Sequence, residues 1–218
     1  MHHHFHLFRI TAVLTGLAVT MGVLHAAPIT VPVQNASFET VGATILPWSK
    51  LPVTTTTNWS YTTTSQYTIY KVEPTNTAAS FHVAADGDHV LNTVAATVLS
   101  QNLHYTVNTG DIVTLSFALG QALGGSGGGS IEARILVGAV TAVQPFTVGT
   151  GTTKGSWYGK SFSYTATSGG NLAIAFATVS DTPWLDNVGV TVMVPEPACL
   201  GLLALGGLLL GRRRPRTA

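Results

Sequence analysis

The chain has 218 residues, of which only 9% are charged and 45% hydrophobic, with 23 glycines and a formal net charge of +1. The positive charge sits mostly at the two ends: between Ala27 and Val194 five basic residues (Lys50, Lys71, Arg134, Lys154, Lys160) face eight acidic ones (Glu39, Glu73, Asp86, Asp88, Asp111, Glu132, Asp181, Asp186), a net −3. That balance excludes a basic surface for nucleic acid as a partner, and the lone Cys199, in the last apolar stretch, excludes a disulfide within the stretch before it.

Residues 1–26 read as a signal peptide. His2, His3, His4, His6 and Arg9 form a polar start, Ile10 to Leu24 an apolar run, and Leu24-His25-Ala26 offers signal peptidase a small residue at the cut, with Ala27 as the other candidate. The histidines leave with that segment and are not read as a metal site.

Residues 27–194 are rich in Thr, Val, Gly and Ala and poor in Glu, Lys, Gln and Arg, which favours strands over helices. Alternating or short apolar runs between turns predict strands over 29–33, 59–61, 66–72, 89–92, 97–103, 112–119, 131–137, 142–148, 157–165, 172–178 and 185–194. Threonines crowd both sides of Trp59, as a strand pair with exposed hydroxyls or as an O-glycosylated patch. The glycine run 124–129 lacks the Lys-Ser/Thr of a phosphate loop and is read as a connection between strands. So many short strands in this length predict an all-β fold, a single antiparallel β-sandwich of the jelly-roll kind.

Residues 195–218 form a third segment. Pro195 and Pro197, flanking Glu196, cannot sit inside a helix, so they set its start. The apolar run 198–211 would span about 21 Å as a helix, short against a bilayer core of about 30 Å. Arg212, Arg213 and Arg214 follow and would hold that end at the cytoplasmic interface. A Pro-Glu-Pro triplet, a short apolar helix and a terminal arginine cluster resemble the PEP-CTERM sorting signal. The resemblance implies export, a short transmembrane helix over 198–211 that anchors the chain transiently, an exosortase-type membrane processing enzyme as partner, and release to the cell surface or an extracellular matrix associated with exopolysaccharide or biofilm.

A second resemblance runs through the middle segment. It opens with Asn35-Ala36-Ser37-Phe38-Glu39 and a following Trp48, continues with Ala85-Asp86-Gly87-Asp88-His89 and closes on Trp184-Leu185-Asp186-Asn187-Val188. In this order the motifs resemble galactose-binding-like jelly rolls, among them carbohydrate-binding modules. The first and last strands of such a fold are neighbours, which would bring Glu39 near Asp186. Two facing carboxylates repel unless something positive lies between them. The resemblance implies a structural calcium ion there, with Glu39 and Asp186 as ligands. The alternative is a pair of surface acids, one capping a turn. Relatives that bind sugar stack it on exposed rings, and Trp59, Trp157 and Tyr158 are the candidates carried forward; sandwich cores also need aromatics, and Phe38 and Trp48 read as core.

Catalytic residues are expected to be none. No carboxylate pair stands out for glycoside hydrolysis once Glu39 and Asp186 are structural. Gly124-Gly125-Ser126-Gly127-Gly128 has the letters of a nucleophile elbow, but no helix follows it. His82, His89 and His104 lack metal-ligand spacing. The expected function is therefore an exported, exosortase-sorted, non-catalytic matrix or surface protein. A lectin-like module that holds polysaccharide on exposed aromatics is the alternative, and a glycoside hydrolase a weaker one.

Overall fold

A sandwich strand must bury every second side chain, and the long strands here do so. The computed structural model describes residues 27–41, 50–52, 58–62, 68–71, 83–94, 96–121, 129–149, 152–153 and 155–196. The signal peptide, residues 124–128 of the glycine run, Trp48 and the tail from Pro197 through Arg214 lie outside the described residues. Among the described residues no helix is long and apolar enough to cross a membrane.

Every regular element among them is a strand. In chain order they are β1 (Ile29–Val31), β2 (Lys50–Pro52), β3 (Ser60–Tyr61), β4 (Thr68–Lys71), β5 (His89–Asn92), β6 (Val98–Val107), β7 (Ile112–Gly120), β8 (Ser130–Val137), β9 (Val140–Thr147), β10 (Trp157–Thr165), β11 (Gly170–Ser180) and β12 (Trp184–Met193). They form two antiparallel sheets. One runs β10-β7-β12-β5-β4-β2, with β1 also paired to β12; the other runs β3-β6-β11-β8-β9. The expected two-sheet antiparallel sandwich is what the structure shows. The first and last strands are neighbours, with Ile29 opposite Val192 and Val31 opposite Val190.

The core lies between the sheets. Val113, Leu115, Phe117 and Leu119 of β7 and Leu185, Val188, Val190 and Val192 of β12 meet Ile131, Ala133 and Ile135 of β8 and Leu172, Ile174 and Phe176 of β11. Phe117 stacks edge-on against Phe176 at 5.1 Å and Phe146 at 5.2 Å, the geometry that aromatic quadrupoles favour.

Three differences from the expected elements have physical causes. β2 is absent from the expected set because it is three residues ending in Pro52, too short to show a period. β6 runs past Leu103 to Val107, where its pairing to β11 shifts register between Leu172 and Ala173 and His104 adopts φ 51°. That bulge breaks the period of two that a sequence reading follows. Trp59 is the third: it is only 5% exposed, tilted against Phe38 and Phe176, with Nε1 donating to the Asn35 carbonyl at 3.1 Å. It is a core residue, so it offers no ring face to a sugar.

Candidate functional site

The outer face of the β10-β7-β12 sheet carries the site. Alternation places Thr114, Ser116 and Ala118 of β7 outward, because Val113, Leu115 and Phe117 point into the core. Register then aligns Ala118 with Gly159 of β10 and Asp186 of β12, and Ser116 with Ser161 and Gly189. Between Asp186 and Gly189 the pairing slips by one residue, a bulge that sets Asn187 at φ 49° and leaves it exposed.

At one end of this face the segment 83–89 is strapped down. Asp186 Oδ2 accepts the backbone N–H of Ala85 at 2.8 Å and of Asp86 at 3.0 Å, and Oδ1 accepts that of Asn187 at 2.7 Å. Glu39 Oε1 accepts the N–H of Asp88 at 2.8 Å and of His89 at 2.7 Å, while Oε2 meets His89 Nδ1 at 2.6 Å. Ser37 Oγ donates to Asp86 Oδ2 at 2.5 Å, and Trp157 Nε1 to the Val83 carbonyl at 3.0 Å. Gly87, at φ 68°, lies so close over Glu39 that a Cβ there would fall 2.3 Å from Oε1, so any other residue would push the Glu39 carboxylate out of place. Segment 35–39, the 83–89 loop and the start of β12 are thus one hydrogen-bonded unit, closed by the Val188 N–H on the Ala36 carbonyl at 3.0 Å.

Asp186 is 0% exposed. Burial pushes its carboxyl up to about 7 from 3.8, against the pull of its three backbone N–H donors, and the nearby Asp86 charge pushes the same way.

Glu39 and Asp186 do come to one place, through the loop they share. The described residues there do not fit a calcium ion. Calcium takes about six to eight oxygen ligands, whereas the oxygens of both carboxylates are met by N–H groups, whose positive ends repel a cation. Among the described residues no group of three or more acidic, histidine or cysteine side chains could hold a metal. Both carboxylates are instead held by backbone amides of the loop they share.

Beside the strap the face opens into a shallow trough of about 340 Å³, lined by Ser116, Ala118, Gly159, Ser161 and Asn187. Its floor is the Gly159–Ala118 pair, the smallest pair along the β10–β7 ladder. A Cβ on Gly159 would meet nothing within 4 Å, so the missing side chain leaves open space. Phe117 and Lys160 also border the trough. By alternation they present backbone there and turn their side chains to the inner side, where Lys160 Nζ lies 5.8 Å from the Tyr158 ring centre. The trough therefore offers two hydroxyls and an amide.

The remaining ring candidates divide. Trp157 is half-buried at the strapped end of this face, opposite Gly120, which in turn faces the buried Trp184. Tyr158 packs from β10 against the core, its hydroxyl accepting the Thr153 N–H at 2.5 Å. Ser116, Ala118, Gly159 and Ser161 were not among the sequence candidates. The available signal was Gly159, a glycine inside an otherwise regular strand pattern.

The sequence model of the HpiC1-like family, described as HpiC1 cyclase, matches residues 29–191. No curated protein matches the chain. Among solved structures it is similar to TmCBM61 in complex with beta-1,4-galactotriose (16% identity, 75% of this chain and 97% of that one, TM-score 0.45). It is also similar to the CBM22-1 xylan-binding domain of Paenibacillus barcinonensis Xyn10C (14% identity, 64% and 88%, TM-score 0.46). A third is the C-terminal family 22 carbohydrate binding module of Clostridium thermocellum Xyn10B (13% identity, 74% and 97%, TM-score 0.41).

Proposed function

We propose that this chain, which belongs to the HpiC1-like family, is an exported, non-catalytic β-sandwich that binds polysaccharide on the outer face of its β10-β7-β12 sheet. The observation that carries the reading is the trough: a shallow, open site with a small-residue floor and hydroxyl and amide groups in its lining, the chemistry that recognises sugar hydroxyls. Its described lining has no acid–base pair, which favours holding a ligand over converting it. The signal-like start and the Pro-Glu-Pro tail support a route through signal peptidase and an exosortase-type enzyme, with a transient membrane anchor and then the cell surface or matrix. Retention of the purified chain on immobilised polysaccharide, compared with a Gly159→Val variant that fills the trough, tests the binding claim.

The family description names a cyclase, and a second reading follows from it. Asp186, with its carboxyl near 7, is the described acid best matched to giving up a proton at neutral pH. Its complete burial under three backbone N–H groups keeps it from a bound substrate, so its environment supports a structural role.

A further inference from the structure

We infer that the ligand of this face is a long, uncharged polysaccharide lying across the strands; the inference rests on the reading of the trough as a sugar site and names its ligand class. Beyond the trough the pairing register lines up a row of hydroxyls. Ser163 lies opposite Thr114, Thr114 opposite Thr191, and Thr191 opposite Thr30, so that β10, β7, β12 and β1 each contribute one. Directly paired residues share a face, and this row shares the outward face of Ser116 and Ser161. Three inter-strand gaps at about 4.8 Å make the row about 14 Å long. The Thr114 and Ser163 hydroxyls stand 2.7 Å apart, and the small side chains keep the surface flat.

Length follows from energetics. A hydrogen bond between a protein hydroxyl and a sugar replaces bonds to water and is worth about 0.5–1.5 kcal/mol net. An array of such groups gains useful affinity only from a ligand that engages many at once. A polysaccharide laid perpendicular to the strands would set its rings along the row, with the trough running beside it, from Ser116 and Ser161 to Ala118 and Gly159 on the same strands.

Neutrality follows from charge. None of the row residues and none of Ser116, Ser161 and Asn187 is ionisable, and Lys160, which borders the trough, turns its amine to the inner side. Among the described residues the strap carries the exposed carboxylates of Glu39, Asp86 and Asp88, and they repel an anionic chain.

The test uses the full chain, three neutral polymers (galactan, xylan and the neutral exopolysaccharide of the producing cells), a trisaccharide of each, and polygalacturonate as the acidic probe. Thr30→Glu and Ser163→Glu place a charge at opposite, exposed ends of the row, and Thr141→Glu on the other sheet is the control. The expected result is binding of a neutral polymer well above its trisaccharide. Each row variant should weaken it about tenfold, the worth of one or two hydrogen bonds, with the trisaccharide and Thr141→Glu changed less than about twofold. Melting temperature confirms the fold of each variant, and either row variant alone suffices. Equal affinity for polymer and trisaccharide, equal binding of polygalacturonate, or insensitive row variants would overturn the extended neutral ligand while leaving the trough reading intact. No binding of any sugar by the folded chain would overturn both.

Discussion

Asp186 Oδ2 accepts the backbone N–H of Ala85 at 2.8 Å, a hydrogen bond between residues 101 positions apart. Through it the last long strand holds the loop that Glu39, near the first strand, holds from the other side. The strap closes one end of the outer sheet face, and the trough and hydroxyl row lie beyond it.

Stability should fall as pH rises across neutrality. The raised Asp186 carboxyl means that the folded chain keeps a proton that the unfolded chain releases near 3.8, so this contribution is whole below that pH and is lost as pH rises through about 7. The melting temperature is expected to be higher at pH 5 than at pH 8, by about 2–4 °C for each kcal/mol involved. Asp186→Asn should flatten that slope while lowering stability at acid pH, since its amide would face the Asn187 N–H. A calcium site would give the opposite pattern, with added calcium raising the melting temperature most at high pH.

Glu39→Ala should destabilise the domain by about 0.5–1.5 kcal/mol, because the N–H groups of Asp88 and His89 exchange their acceptor for water. Combined with Asp186→Asn the loss should be less than additive, since once the loop is released on one side the second grip holds less. Denaturant melts of the double-mutant cycle measure this, and strict additivity would show that the two carboxylates act independently.

Trp59→Ala should cost about 3–5 kcal/mol, as expected for a buried aromatic. It strips the contacts to Phe38 and Phe176 and the hydrogen bond to Asn35. Lost sugar retention with an unchanged melting temperature would instead place the ring at the ligand.

Deleting residues 195–218 should leave the melting temperature of the sandwich unchanged, because the described core residues all precede Pro195. The same deletion should change how the chain partitions between membrane and medium in cells that carry a PEP-CTERM sorting system. Identical fractionation with and without the tail would contradict the sorting role.

The strands were legible where a clean period of two runs to a clear turn. β5 and β10 match the sequence expectation at both ends, and β7 differs by one residue. The side of the sheet on which a ring falls was less legible. Trp59 adjoins a two-residue strand among threonines and serines, where no alternation tells inside from outside. The meeting of Glu39 and Asp186 was legible from the pairing of first and last strands. Its chemistry was not, because the partners are backbone amides of a loop that any sequence could supply. The trough depends on Gly159 facing Ala118 across a ladder and on the bulge at Asn187, relationships of register that no single segment encodes.

The central claim, that the outer face of β10-β7-β12 holds polysaccharide, is tested most directly by comparing the chain with its Gly159→Val variant. The added side chain has room, and valine suits a strand, so the melting temperature should hold or rise. The account predicts specific retention of the chain on a neutral polysaccharide and its loss in the variant. Equal retention of the two proteins, or none by the folded chain, would contradict it.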